Sequence, residues 1–325
     1  MHLQDFYLAR RRIAPMIRRT PLVAAPDLSA RVGAEVRCKL ETLQQTGSFK
    51  VRGAANALLQ LSPEERKTGV LAFSTGNHGR AISWVGHQLG IPARICLSRR
   101  VPAYRVEAMR KLGGIVVQEG ESQDEALEVA HRLQREEGLP LVSPFDDERV
   151  IAGQGTIGLE LAEDWPELEA VLIPLSGGGL TSGIALVLKA LQPSLRVVGV
   201  SLEVSAPMHA SLQAGKPVEI EEVDSLGDAL LGGIGLDNRY TFAVCRDLVD
   251  EVVLVSEEDL ARGMAYAFHE HRLVVEGAGI AGLSALLSGK YDPRGRPTAV
   301  LLSGSNVDTA ALARIALAHP ADSFA

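Results

Sequence analysis

Lys50 is the residue best placed to do chemistry in this 325-residue sequence, closing the run Thr46-Gly47-Ser48-Phe49-Lys50 and opening the helix-like stretch Val51 to Leu61. Helix N-termini disfavour cations, because the macrodipole is positive there. The same field helps to depress a lysine's pKa, and a less protonated amine is what Schiff-base chemistry needs. The bland alternative is a solvated lysine at a helix start. Taken alone, the feature favours that alternative, since lysines are usually exposed.

A second candidate is the turn Ser176-Gly177-Gly178-Gly179-Leu180, between an apolar strand-like run and a helix-like stretch. Glycines let the backbone approach a bound group, and a helix N-terminus offers unpaired N–H donors to an anion such as phosphate. No Gly-Lys-Ser/Thr follows, so a P-loop is excluded. A dinucleotide site stays open: Gly177, Gly179 and Gly183 follow a strand, and Glu203 lies just after the next one, where an acidic residue could meet a ribose. Ser182 stands where the third glycine of that fingerprint belongs. A purely structural role, close helix–strand packing, stands beside both ligand readings.

Ser74-Thr75-Gly76-Asn77-His78-Gly79 is another polar turn at a strand end. Its hydroxyls, the Asn77 amide and the N–H groups of the helix start form a nest suited to a carboxylate. His78 invites an acid–base role, but a histidine without a placed partner reads first as structural. Ser303 closes the last strand in the same polar way. Ligands of open α/β sheets bind beyond the carboxyl ends of strands, so three such turns say more together than singly.

The elements that must position these residues alternate. Val70–Phe73 reads as a strand, Arg80–Leu89 as a helix, Ala93–Leu97 as a strand, Val101–Leu112 as a helix, Ile115–Val117 as a strand and Ser122–Glu137 as a helix. A second series follows: strand Ala170–Leu175, helix Leu180–Leu191, strand Arg196–Val200 and, near the end, strand Ala299–Leu302. This predicts two α/β units with parallel sheets, joined near Ser143 to Val150. Residues 203–240, rich in Gly, Pro and acidic residues, show no readable period. No internal repeat or low-complexity segment is present.

Composition narrows the function class. The net charge is −7 with no large basic block, which excludes a nucleic-acid surface. Arg10, Arg11, Arg12, Arg18 and Arg19 read as a solvated helix face rather than a transit peptide, since no cleavage pattern follows. Cys38, Cys96 and Cys245 are widely spaced, which argues against a disulfide framework or structural zinc. No apolar run approaches the ~18 residues that span a bilayer. A cytoplasmic protein that binds no membrane is expected.

The sequence resembles the fold-type II pyridoxal-phosphate (PLP) enzymes, in particular the threonine/serine dehydratase and serine racemase branch. The resemblance rests on Thr20-Pro21-Leu22, Lys39-Leu40-Glu41, Gly47 to Ala54, Ser74 to Gly79, Ile151-Ala152-Gly153-Gln154-Gly155-Thr156, Ser176 to Leu180, Glu276-Gly277-Ala278-Gly279 and Ser303-Gly304-Ser305-Asn306. These pieces occur in the family's order over nearly the whole chain. It implies a tryptophan synthase β-like α/β fold: two open, twisted, mostly parallel sheets flanked by helices, with PLP between the domains. Residues 1–55 and 147–325 would form the large domain and 56–146 the small one. Lys50 would hold PLP as an internal Schiff base, and Phe49 would pack on its ring. Asn77 would meet the ring hydroxyl, and Ser176, Gly177, Gly178, Gly179 and Leu180 the phosphate. Ser303 would meet the ring nitrogen, with Glu276 near the ring. Ser74, Thr75, Gly76, Asn77 and His78 would grip the substrate carboxylate. A homodimer is implied.

The implied chemistry is elimination of water from a small β-hydroxy amino acid, giving a 2-oxo acid and ammonia. Lys50, displaced by the substrate amine, becomes the base at Cα–H. A serine at the ring nitrogen gives that nitrogen no strong reason to stay protonated, which favours prompt loss of the β-substituent. Several departures bear on this. The phosphate turn begins with Ser176 where the family usually has a fourth glycine. Thr75 stands where racemases place a catalytic serine, so amino-acid racemisation is the alternative activity. Glu203 matches the first acidic ligand of a divalent-cation site in serine racemases, but His209 stands where an aspartate is expected. Gly232 to Tyr240 is similar to a sub-branch associated with hydroxyectoine utilisation, whose substrate is a β-hydroxylated diamino acid derivative. The chain ends shortly after the core, so no isoleucine-sensing regulatory domain is expected. A nucleotide-dependent oxidoreductase remains the reading from another class, through Gly177 and Glu203.

Overall fold

The computed structural model of the protein describes residues 1–121, 123–221 and 223–324. Nine strands lie among them: β1 Leu22–Ala24, β2 Val36–Leu40, β3 Val70–Phe73, β4 Ala93–Leu97, β5 Ile115–Gln118, β6 Ala170–Pro174, β7 Arg196–Leu202, β8 Glu251–Val255 and β9 Thr298–Leu302. They build two sheets. The larger has the order β1-β2-β9-β6-β7-β8, and all its pairings are parallel except β1 with β2. The smaller is β3-β4-β5, parallel throughout. Parallel neighbours need long crossovers, and helices supply them.

The central strands show why the sequence reads as unbroken apolar runs here. β6 and β9 are buried along their whole length, and alternate residues feed opposite cores. Leu172, Val300 and Leu302 join Ile280 and Leu283 on one face. Val171, Ile173, Ala299 and Leu301 join Ile157 and Ile184 on the other. A sheet covered on both faces leaves no polar position to alternate with. β8, at the edge, is more exposed.

The small sheet has its own cluster, in which Val70, Ala72, Ile95 and Leu97 meet Val51, Ala54, Ala55 and Leu58 of the helix Lys50–Leu58. The same helix is tied to the large sheet by charge. Arg52, fully buried, donates from Nε and Nη2 to the Glu41 carboxylate at 2.9 and 2.7 Å, and from Nη1 to Glu160 Oε1 at 2.6 Å. Lys39 Nζ lies 2.7 Å from Glu160 Oε2 and donates to the Thr20 carbonyl at 2.6 Å. Two cations thus face two carboxylates, all nearly inaccessible to water. Burial alone would push the Glu41 carboxyl up; the Arg52 charge and hydrogen bonds, with Thr20 and Lys39, hold it below the usual range.

Most element boundaries fall within a few residues of those expected, with three informative shifts. The helix expected from Arg80 begins at Asn77, because the polar turn itself supplies its first turn. The helix expected from Val101 begins at Ala103, after Pro102, and the helix from Ser122 is described only from Gln123, Ser122 lying outside the described residues. In the unreadable stretch 203–240 the chain forms the helix Pro207–Ala214 and a 3-10 turn Asp228–Leu230, with Glu222 outside the described residues. Among the described residues no helix is long and apolar enough to cross a membrane.

Removing one partner of a buried ion pair strands the other charge, at a cost of about 3–5 kcal/mol. Arg52→Met is therefore expected to lower the unfolding free energy by about that amount in urea titrations followed by circular dichroism, with the slope unchanged. An unchanged midpoint would contradict a structural role for the network.

Candidate active site

The carboxyl ends of β6 and β9, neighbours in the large sheet, face the N-terminal turn of the helix Asn77–Leu89 across a cavity of about 830 Å³. Lining it are Phe49 and Lys50, the turn Ser74 to His78, the turn Ser176 to Leu180, Glu276 and Ser303. Those turns, distant in sequence, are brought to one place because the two sheets share the segment 144–147 and the helix Lys50–Leu58.

Lys50 donates to the Pro144 carbonyl at 2.7 Å and is paired with no carboxylate among the described residues. Its ammonium stands 5.1 Å from the Phe49 ring centre, and Phe49 packs on the core between the large sheet and its helices. Burial pulls the Lys50 amine down from 10.5 to about 8. That shift comes from desolvation, as a lysine without a counter-charge must show.

The glycine turn continues into the helix Gly179–Leu191, so its first N–H groups have no partner within the helix. Gly178, the N-cap, has φ +84°, a left-handed conformation that a side chain resists. A Cβ at Gly177 would lie 2.3 Å from the Phe145 ring. The turn is thus pressed flat against Phe145, with its amides free to face the cavity. Asp146 fixes the neighbouring wall by accepting from the N–H groups of Arg239, Tyr240 and Thr241 at 2.7, 2.9 and 3.0 Å.

Asn77 and Glu276 form a bridge between the two sheets. Asn77 Nδ2 donates to Glu276 Oε1 at 2.5 Å, and Asn306 donates from Nδ2 to Asn77 Oδ1 at 2.6 Å and from its backbone N–H to Glu276 Oε2 at 3.0 Å. Gly304 lies beneath: a Cβ there would sit 2.1 Å from Glu276 Oε1. Burial pushes the Glu276 carboxyl up to about 7, against the Asn77 amide and the Asn306 N–H, which pull it down. Asn77 retains a second amide proton for a ligand. His78 is inaccessible to water, and its Nε2 donates to the Val142 carbonyl at 2.9 Å. Burial first, then the Lys50 charge, hold its pKa at about 3, so the ring is neutral.

These residues fit pyridoxal phosphate on the structure's own terms. An amine with a lowered pKa, a glycine turn with free amides and the hydroxyl of Ser303, which makes no hydrogen bond within the described protein, meet in one cavity. Ser176 and Thr75 add hydroxyls to its wall. Glu203 does not line the cavity. It pairs with Lys290, whose ammonium also meets Asp259 Oδ2 at 2.6 Å, so a lysine occupies the space between the two carboxylates. Among the described residues no group of three or more His, Cys, Asp or Glu could hold a metal ion. Glu203 is thereby also removed from any ribose.

Sequence reasoning assigned no role to Pro144, Phe145, Asp146, Arg80 or Asn306. Pro144 acts through its carbonyl and Phe145 through shape, and neither leaves a sequence signal. Asn306 stood inside a quoted motif, and its two contacts emerge only in three dimensions.

The family model described as "Pyridoxal-phosphate dependent enzyme" matches residues 13–304. An L-threonine ammonia-lyase of Thermotoga maritima is 41% identical over 313 residues, covering 96% of this chain and 77% of that protein. The catabolic L-threonine dehydratase of Escherichia coli is 35% identical over 315 residues, covering 96% and 95%. The structure of maize serine racemase superposes with a TM-score of 0.91 at 34% identity, covering 98% of this chain and 97% of that one.

Between pH 8 and 10.5 folded Lys50 carries fewer protons than unfolded Lys50, so the cofactor-free protein gains stability as pH rises through that window. Calorimetric scans across pH 7 to 10.5 are expected to show this gain, and Lys50→Met to remove it. Amine acylation of Lys50, mapped by mass spectrometry, should have its midpoint at about 8. A midpoint at 10.5 would mean the amine is solvated.

Proposed function

The chain belongs to the pyridoxal-phosphate dependent enzyme family, and we propose that it is an ammonia-lyase of the dehydratase kind. It removes water from a small β-hydroxy amino acid and releases a 2-oxo acid and ammonia. The observation that carries this reading is the meeting of Lys50, the Ser176–Leu180 turn and Ser303 in one cavity, with a hydroxyl rather than a carboxylate at the end of β9.

When bound, pyridoxal phosphate supplies the electron sink that lets a Cα–H proton leave. The chain's own residues do the rest. The amides of Gly177 to Leu180 bind the phosphate, and the free proton of the Asn77 amide meets the ring hydroxyl. Ser303 offers the ring nitrogen a neutral partner. The turn Ser74 to His78 holds the substrate carboxylate. Lys50 Nζ, poised at about 8, takes the proton and holds it beside the Pro144 carbonyl. His78 cannot share that task, because its Nε2 is spent on Val142 and its ring is neutral.

Racemisation is the second reading, favoured by one observation: the Thr75 hydroxyl lines the cavity without a hydrogen-bond partner in the described protein. Within the β-hydroxy class, the similarity of Gly232 to Tyr240 to the hydroxyectoine-utilisation branch supports a diamino acid derivative beside threonine and serine. We further propose a cytoplasmic homodimer, with residues 1–55 and 147–325 as the cofactor-holding unit and 56–146 as the smaller one.

Lys50→Ala is expected to abolish the visible absorbance of the cofactor-loaded protein and to lower 2-oxo acid release by about 10²–10⁴-fold or more. A panel of threonine, serine, 3-hydroxyaspartate and hydroxyectoine-derived diamino acids, assayed for 2-oxo acid, tests the substrate class. With L-serine, pyruvate should exceed D-serine, and Thr75→Ala should reduce only the D-serine. Absence of 2-oxo acid from every substrate would overturn the reading.

A further inference from the structure

Three cations line the cavity, and only Arg80 lacks a partner. Lys50 is bonded to the Pro144 carbonyl and Arg105 is paired with Asp228. The Arg80 guanidinium makes no hydrogen bond or ion pair with the described residues, and its Nε is buried and unsatisfied. Arginine cannot relieve this by releasing a proton. An unpaired buried charge is costly, and it persists where something else pairs with it.

The protein's own carboxylates do not serve. Glu276 attracts Arg80 from nearby, but its two oxygens are taken by Asn77 and Asn306. Asp228 is held by Arg105, and Asp224 lines the cavity without reaching ion-pair distance. Arg80 lies three residues after Asn77 on one helix, so it shares the face from which Asn77 enters the cavity. It is one turn beyond the Ser74–His78 turn that would hold the α-carboxylate.

We propose that Arg80 is a specificity residue that reads the substrate's side chain, pairing with an oxygen acceptor beyond the hydroxyl-bearing carbon. The acceptor is a carboxylate, as in 3-hydroxyaspartate, or the carbonyl of an acylated 3-hydroxy diamino acid. This rests on the ammonia-lyase reading above and sharpens it: threonine and serine leave Arg80 unpaired, and a free side-chain ammonium would be repelled.

The test compares Arg80→Met, Arg80→Gln and Arg80→Lys with the wild-type holoenzyme on 3-hydroxyaspartate, an N-acetylated 3-hydroxy diamino acid, its free amine and threonine. The wild type is expected to prefer an acceptor-bearing substrate over threonine and the free amine. Arg80→Met should raise KM for that substrate by about 10- to 100-fold, with kcat changing less and threonine KM within about threefold. Arg80→Lys should retain part of the preference. Arg80→Gln keeps a donor without the charge, so it should spare the acylated substrate and lose the carboxylate. Equal KM rises for all substrates would place Arg80 on the α-carboxylate, and no rise at all would leave it without a ligand; either overturns the proposal. So would a preference for threonine or the free amine, or loss of cofactor absorbance in correctly folded Arg80→Met.

If no substrate yields 2-oxo acid, the ammonia-lyase reading fails, and binding still tests Arg80. Succinate, unlike butyrate, should then raise the holoenzyme's melting temperature in the wild type and not in Arg80→Met. Equal shifts in both proteins overturn the proposal.

Discussion

Arg52 lies two residues after Lys50, and its burial with Glu41 and Glu160 is the constraint on which the site depends. The guanidinium fork satisfies two carboxylates that come from different parts of the large unit: Glu41 just after β2, and Glu160 on the helix Glu148–Asp164. A planar donor set needs both acceptors at set angles, so the pairing fixes the rotation of the helix Lys50–Leu58 as well as its position. The rotation matters because the same helix turns Val51, Ala54 and Leu58 into the small sheet's core. Lys50, at the first position of that helix, is directed toward the Pro144 carbonyl as a consequence. A hydrophobic substitute would give stability, but it would not orient the helix about its axis as a bidentate pair does.

A second tie acts from the opposite side of the cavity. Asn77 belongs to the helix following β3, while Glu276 and Asn306 belong to the large unit, and their hydrogen bonds close a triangle across the gap between the two sheets. The Glu276 carboxyl at about 7 sits under Gly304, immediately after Ser303. Motifs separated by more than two hundred residues therefore carry one local geometry. The small sheet is held at both ends of the cavity, by Lys50's helix and by Asn77's.

How much of this was legible differs by residue type. Lys50, the glycine turn and the Ser74–Gly79 turn were visible because rare residue combinations at strand ends are unusual without a purpose. The strands β6 and β9 were visible because burial on both faces leaves uninterrupted apolar runs. β1 and β2 escaped the pattern reading: β1 is three residues long, and β2 mixes Arg37 and Lys39 with apolar positions. Lys39 looked like a surface residue because its counter-charge, Glu160, is 121 positions away in the chain. Phe145 and Pro144 escaped because backbone carbonyls and ring faces have no spacing signature. The stretch 203–240 escaped because its structure is set by what it packs on rather than by its own period.

The cavity's charges form a consistent set once these ties are in place. Lys50 has no carboxylate beside it, and Ser303 is neutral, so no internal anion competes with an incoming one. His78 stays neutral because burial and the Lys50 charge both oppose its proton. Had a carboxylate stood at the end of β9, it would stabilise the Lys50 ammonium through space, raise its pKa and leave less free amine at neutral pH. A hydroxyl there does two things at once: it leaves the lysine near 8 and offers a heterocyclic nitrogen a partner that does not enforce protonation. The lysine's low pKa and the serine's neutrality are therefore two aspects of one design, in which the positive electrostatics of the cavity are reserved for the ligands.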